Sequence, residues 1–193
     1  MTTTAELAET ARRFQADTAK HEMTVLHDDG LYRHLRFKAP QTGFYWFDLV
    51  TWPGCLAING DMDSFTFSRT EDMFTFFRGS RINPQYWAEK VRAGRDIRRY
   101  SEDLFKQLVT EAIEDSAKDW PGLAEAVKSE ILSSDEIYYD DGARSLLVSF
   151  EHDGFKFADT WEWDLSDWCY QFLWCCHAIV WGISRYDRKA VAV

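Results

Sequence analysis

The chain has 193 residues, with 22 Lys and Arg against 32 Asp and Glu, for a net charge of −10. This length suits one domain over 1–193, long enough to bury most of its unfolded surface without disulfide or metal staples. The acidic balance argues against a general nucleic-acid binder, which needs cations to displace counterions from phosphate, and it favours basic partners.

The first predicted element is a helix. Thr2, Thr3 and Thr4 offer a cap, Glu6 and Glu9 sit in the early turns, and Leu7, Ala11 and Phe14 recur at helical spacing, with an end before His21. A β-rich stretch follows. Segments 21–26 and 31–37 flank the turn signal Asp28-Asp29-Gly30. Segment 44–52 reads as a strand closed by Pro53-Gly54, and 55–58 and 64–68 flank Asn59-Gly60-Asp61. Phe65 and Phe67 alternate with Ser64, Thr66 and Ser68, a period of two. These signals predict a four- or five-stranded antiparallel meander over about residues 21–69.

The period then changes. Thr70-Glu71-Asp72 opens a short helix that Gly79 stops, and Asn83-Pro84 starts another carrying Tyr86, Trp87 and Val91. Ser101-Glu102-Asp103 caps a long helix to about 117, with Leu104, Phe105, Leu108, Val109, Ala112 and Ile113 on one stripe. Helices are expected from Trp120-Pro121 to about 132–134 and around 143–152, then a strand at 156–162. Ser166-Asp167 is read as the cap of the last helix, about 168–186, which is apolar nearly all round and so central. The fold class is α+β: an antiparallel meander packed against a helical C-terminal half. There is no GxGxxG, no Walker loop and no alternating βαβ pattern.

Several residue groups bear on chemistry. Cys55, Cys169, Cys175 and Cys176 form no CxxC pair, and the last three lie in an apolar helical pattern, so free buried thiols and a reducing, cytoplasmic location are expected. The N-terminus lacks an apolar signal core, and 168–183, broken by Gln171 and His177, is too short to span a membrane. Asp61 and Asp63 could offer oxygen ligands to Mg²⁺ or Ca²⁺, but no EF-hand loop follows, so they read as hairpin polars. His21, His27, His34, His152 and His177 fit no zinc or hydrolase spacing. No catalytic residue, metal or cofactor is expected. With nine Trp, the aromatic residues read as core, with two or three in an exposed binding patch as the alternative.

Charge layout is more telling. Residues 1–100 carry 14 basic and 13 acidic side chains, whereas 101–193 carry 8 and 19. Arg78, Arg81, Lys90, Arg92, Arg95, Arg98 and Arg99, interleaved with Tyr86, Trp87 and Tyr100, could form a phosphate- or RNA-binding patch or hold an anionic ligand such as a nucleotide, or be neutralised within the chain or by a second copy in a homodimer. Glu102, Asp103, Glu111, Glu114, Asp115, Asp119, Glu125, Glu130, Asp135, Glu136, Asp140 and Asp141 form the acidic set. They are either a solvated face or carboxylates that replace phosphates in a basic groove.

The block Trp52-Pro53-Gly54, Asn59-Gly60-Asp61-Met62, Phe67-Ser68-Arg69, Asp72-Met73-Phe74, Phe76-Phe77-Arg78-Gly79 and Ile82-Asn83-Pro84-Gln85-Tyr86-Trp87-Ala88-Glu89-Lys90, with the tail Phe172-Leu173-Trp174-Cys175-Cys176-His177-Ala178-Ile179, resembles a family of bacteriophage- and prophage-encoded accessory proteins. That family has no assigned active site, so no catalytic residue is carried over. The resemblance implies an accessory protein made in a bacterial host cell, of a kind that often blunts host defences such as CRISPR–Cas. The resulting expectation is a non-enzymatic, anti-CRISPR-type inhibitor. It would engage a host nucleic-acid-handling protein through Glu111, Glu114, Asp115, Asp119, Glu125, Asp135, Glu136, Asp140 and Asp141, without binding nucleic acid or membrane itself. The alternative is a nucleotide sponge built on Arg78, Arg81, Trp87, Lys90, Arg92, Arg95, Arg98 and Arg99.

Overall fold

A computed structural model describes residues 4–79, 81–114 and 116–191. Two compact units emerge: Met1–Ile97 with Trp168–Val193, and Arg98–Asp167. Each has its own buried apolar cluster.

The first unit begins with helix α1 (Thr4–Asp17). Its predicted caps Thr2 and Thr3 lie outside the described residues. Strands β1 (Glu22–Asp29), β2 (Tyr32–Lys38), β3 (Phe47–Trp52), β4 (Cys55–Gly60) and β5 (Ser64–Ser68) form the expected antiparallel meander. The meander has a sixth strand that the sequence reading missed, β6 (Val91–Gly94), paired with β5 after the short helices α2 (Met73–Phe77) and α3 (Pro84–Ala88). Both helices start as their sequences predict. The side chain of Asp72 accepts from the Phe74 amide, and that of Asn83 from the Tyr86 amide, with Pro84 in the first turn.

Strand alternation sends one side-chain set to the core. Val25, Leu35, Leu49, Ile58 and Phe65 align across five strands, and Phe37 faces Phe47. Helix α7 (Tyr170–Val191) covers this face with Phe172, Trp174, Cys176, Ile179 and Ile183, all buried. Each large apolar side chain so buried contributes roughly 1.5–3 kcal/mol. Helix and sheet approach closely at Gly182, where a Cβ would lie 2.7 Å from Leu49 Cδ1 and 3.1 Å from Phe37 Cζ. Phe14 of α1 meets Trp174 edge-on at 5.0 Å, and Asp17 accepts from the Trp174 indole at 3.0 Å.

The second unit has β7 (Arg98–Tyr100), α4 (Glu102–Glu114), α5 (Leu123–Val127) running into a π turn at Lys128–Leu132, and α6 (Asp140–Ser149). Phe105, Val109 and Ile113 supply the predicted apolar stripe of α4. They pack with Leu123, Val127, Ile131, Ile137 and Leu147. Two expectations fail here. Residues 156–162 form no strand: a single bridge joins His152 to Phe155, Asp159 takes a left-handed backbone, and Thr160–Glu162 is a 3-10 turn. Ser166 and Asp167 do not cap the last helix. They lie in β8 (Ser166–Trp168), which pairs with β7, and α7 starts at Tyr170.

Candidate functional site

Residues 98–167 hold 7 basic and 18 acidic side chains, net −11, against 15 and 14 in the rest of the chain. The negative charge is thus a property of one structural unit. The apolar stripes of α4, α5 and α6 face inward, so their charged positions face solvent. Glu111, Glu114, Asp119, Glu125, Asp135, Glu136, Asp140 and Asp141 are all exposed. Asp115 lies outside the described residues.

Little neutralises them locally. Arg144 pairs with Asp140 at 2.8 Å, and Gln107 donates to Glu111 at 2.8 Å. Lys106 goes to Glu102, Lys156 to Glu151 and Arg98 to Asp164. Among the described residues, no hydrogen-bond or ion-pair partner engages the side chains of Glu114, Asp119, Glu125, Asp135, Glu136 or Asp141. In the same unit the phenol of Tyr100 is shifted upward. Burial, followed by the charges of Asp140 and Glu102, pushes its pKa up to about 12.

The unit also holds a cleft of about 420 Å³ walled by Trp120, Phe155, Phe157 and Trp163. Among the described residues its one charged lining residue is Lys156, which is engaged by Glu151 at 2.8 Å. Among the described residues no pair of ionisable groups converges there to share acid–base work.

In the basic run the expected aromatic platform is missing. Trp87 is 2% exposed and meets Phe77 edge-on at 4.7 Å, so its face cannot hold a ligand; this corrects the expectation. Arg78 makes a two-pronged bond to Asp187 at 2.8 and 3.0 Å. Lys90 binds Glu89 and lies over the Tyr86 ring at 4.4 Å, and Arg98 is held by Asp164 and the Ser166 carbonyl. Arg81, Arg92, Arg95 and Arg99 are exposed, with no partner among the described residues. The run crosses a helix cap and an edge strand in the first unit, and its last two arginines, Arg98 and Arg99, belong to the second.

Asp61 and Asp63 have backbone tasks. Asp61 accepts from the Tyr45 amide at 2.8 Å, which holds Tyr45 at φ +60°, and Asp63 accepts from the Ser64 amide at 2.8 Å. No group of three or more His, Cys, Asp or Glu among the described residues is placed to hold a metal. Cys175 and Cys176 are buried, and burial pushes both thiols up, away from nucleophilic use.

One polar cluster escaped the sequence reading. On the sheet face away from α7, Asp48 is 5% exposed and accepts from Arg36 at 2.8 and 2.7 Å, with His34 Nε2 at 2.9 Å. Burial alone would raise the Asp48 pKa, but the Arg36 and His34 hydrogen bonds outweigh it and hold the carboxyl below its ordinary value. Charges at alternate positions of neighbouring strands were the available signal. The cross-strand register Arg36 to Asp48 makes them meet. No hydroxyl or thiol among the described residues hydrogen-bonds His34, so the cluster has the make-up of a structural ion group.

No helix among the described residues is long and apolar enough to cross a membrane. No protein-family model, curated protein or solved structure matches the chain.

Proposed function

We propose that the chain is a non-enzymatic, phage-encoded binding protein, most concretely an anti-CRISPR-type inhibitor. Its acidic unit occupies a cationic, nucleic-acid-binding surface of a host protein. One observation carries the reading: of the eight described carboxylates expected to bind a partner, Asp140 alone has an ion-pair partner among the described residues, and all eight face solvent. Exposed, unneutralised carboxylates on a unit of net −11 speed encounter with a basic surface and reject nucleic acid. The phage origin rests on the sequence resemblance. The host-cell cytoplasm is the setting that follows from it.

The test pairs capture with phenotype. Tagged protein expressed in a bacterium carrying CRISPR immunity should enrich a nucleic-acid-handling protein and restore plaques of a targeted phage. Absence of both results would remove the proposal. The alternative, a nucleotide sponge on 78–99, has lost its aromatic platform with Trp87 in the core. Stabilisation of the protein in a thermal shift by one nucleotide at micromolar concentration would revive it.

A further inference from the structure

Large apolar or aromatic side chains are expected inside, and those left outside on a fixed backbone are candidates for contact with another molecule. The segment Asp135–Tyr138 and the start of α6 present such a pair. Tyr138 is 57% exposed and Tyr139 70%. Among the described residues neither ring packs on another ring and neither hydroxyl has a hydrogen-bond partner.

The backbone beneath them is pinned from both sides. Ile137, between Glu136 and Tyr138, is 2% exposed in the apolar cluster, and its carbonyl accepts the Tyr100 hydroxyl at 2.6 Å. The Ser134 hydroxyl accepts from the Glu136 amide at 3.2 Å, and the Tyr139 amide donates to the Glu136 carbonyl at 3.2 Å. Gly142 lets the first turn of α6 sit on that same carbonyl, where a Cβ would stand 2.4 Å from the oxygen. The rings are therefore displayed on an ordered loop, which lowers the entropic cost of using them in binding.

Charge selects what they would meet. Asp135 and Glu136 precede the rings and Asp140 and Asp141 follow them, on the unit of net −11. A neutral or acidic apolar surface would have to desolvate or repel these carboxylates. A cationic one would satisfy them. Between the two cationic side chains, the flat guanidinium stacks on a phenol face and bonds a carboxylate with two parallel donors, whereas an ammonium acts as a hydrated point charge.

We infer that Tyr138 and Tyr139 are the anchor of the interface and that they dock an arginine-rich protein surface, with the rings stacking on guanidinium groups and the flanking carboxylates pairing with them. This rests on the proposed function, since it names the side-chain chemistry of the partner surface that the acidic unit occupies.

Binding of deca-arginine and deca-lysine to the full chain, measured by titration calorimetry at low and moderate salt, tests it. The wild type should bind both, and deca-arginine about fivefold or more tighter. The double variant Tyr138→Ala/Tyr139→Ala should keep its affinity for deca-lysine and lose most of the preference for deca-arginine. Tyr138→Phe/Tyr139→Phe, which keeps the rings, should retain it. Far-UV circular dichroism of each variant checks that the fold persists. Equal affinity of the wild type for the two peptides, or a preference unchanged in the Ala double variant, overturns the inference and leaves the acidic-surface reading standing. Failure of both peptides to bind removes that reading as well.

Discussion

The two units differ in charge balance. In the sheet unit, bases nearly match acids in number, and the acids Asp48, Asp72 and Asp187 each meet an arginine: Arg36, with His34, on Asp48, Arg33 on Asp72, and Arg78 on Asp187. The unit comes out near neutrality, with 15 basic and 14 acidic residues, and its central Trp174 sits under the sheet. The helical unit Arg98–Asp167 leaves most of its described carboxylates without an ion-pair partner among the described residues and turns Tyr138, Tyr139 and Trp161 outward. Charge spent internally stabilises a fold modestly. Charge left exposed costs some self-repulsion and is worth keeping where another molecule supplies the counter-charge.

The comparison breaks most visibly through binding. Neutralising Glu111, Glu114, Asp119 and Glu125 to Gln or Asn should weaken capture of the partner by about a hundredfold, and stability should move by no more than about 0.5 kcal/mol. Both are read by titration and by thermal unfolding. Loss of stability without loss of binding would place the acids in the fold. In the sheet unit the expected effects are on stability. Trp174→Ala removes a fully buried ring packed on Phe14 and Phe47 and should cost about 3–5 kcal/mol in denaturant unfolding.

Asp48→Asn should cost about 1–3 kcal/mol, because the Arg36 and His34 donors lose part of their acceptor. Its pH signature follows from the lowered pKa. The unfolded carboxyl takes up a proton at a higher pH than the folded one. The Asp48 contribution is therefore complete above the ordinary aspartate value and is lost as pH falls through the folded value, so the wild-type and Asn stability curves should converge in acid. Curves that stay parallel would deny the ion cluster its role.

How far the molecule was legible from its residues differs between elements. The hairpin at Gly30, the turn at Pro53-Gly54 and the caps at Asp72 and Asn83 follow from local chemistry and stand in the structure. Strand β6 was hidden because Val91–Gly94 shows three exposed residues at a sheet edge and reads as part of a basic run. Residues 156–162 imitate a strand because Phe155 and Phe157 alternate. In fact both rings join Phe150, Trp120 and Trp163 in a local aromatic group. For the candidate site, the acidic bias was plain in the composition. Which carboxylates keep no cation, and that Trp87 is inside while Tyr138 and Tyr139 are outside, depends on tertiary packing.

A smaller effect sharpens the account of the field in the acidic unit. Tyr100 should resist ionisation until about pH 12 in an ultraviolet titration, so the folded unit loses stability as pH rises past the ordinary phenol range. Asp140→Asn should bring that titration back toward normal. Tyr100→Phe should cost only about 0.5–1.5 kcal/mol for the lost bond to the Ile137 carbonyl. An unchanged Tyr100 titration in Asp140→Asn would show that Asp140 contributes nothing to it.

The most direct measurement is competition on the captured partner. After pull-down by the wild type at low salt, a single- or double-stranded oligonucleotide is added and release is followed, beside the variant neutralised at Glu111, Glu114, Asp119 and Glu125. Nucleic acid and raised salt should both release the partner, and the variant should capture little of it. Capture that resists both and is equal for the variant would contradict the acidic-surface reading.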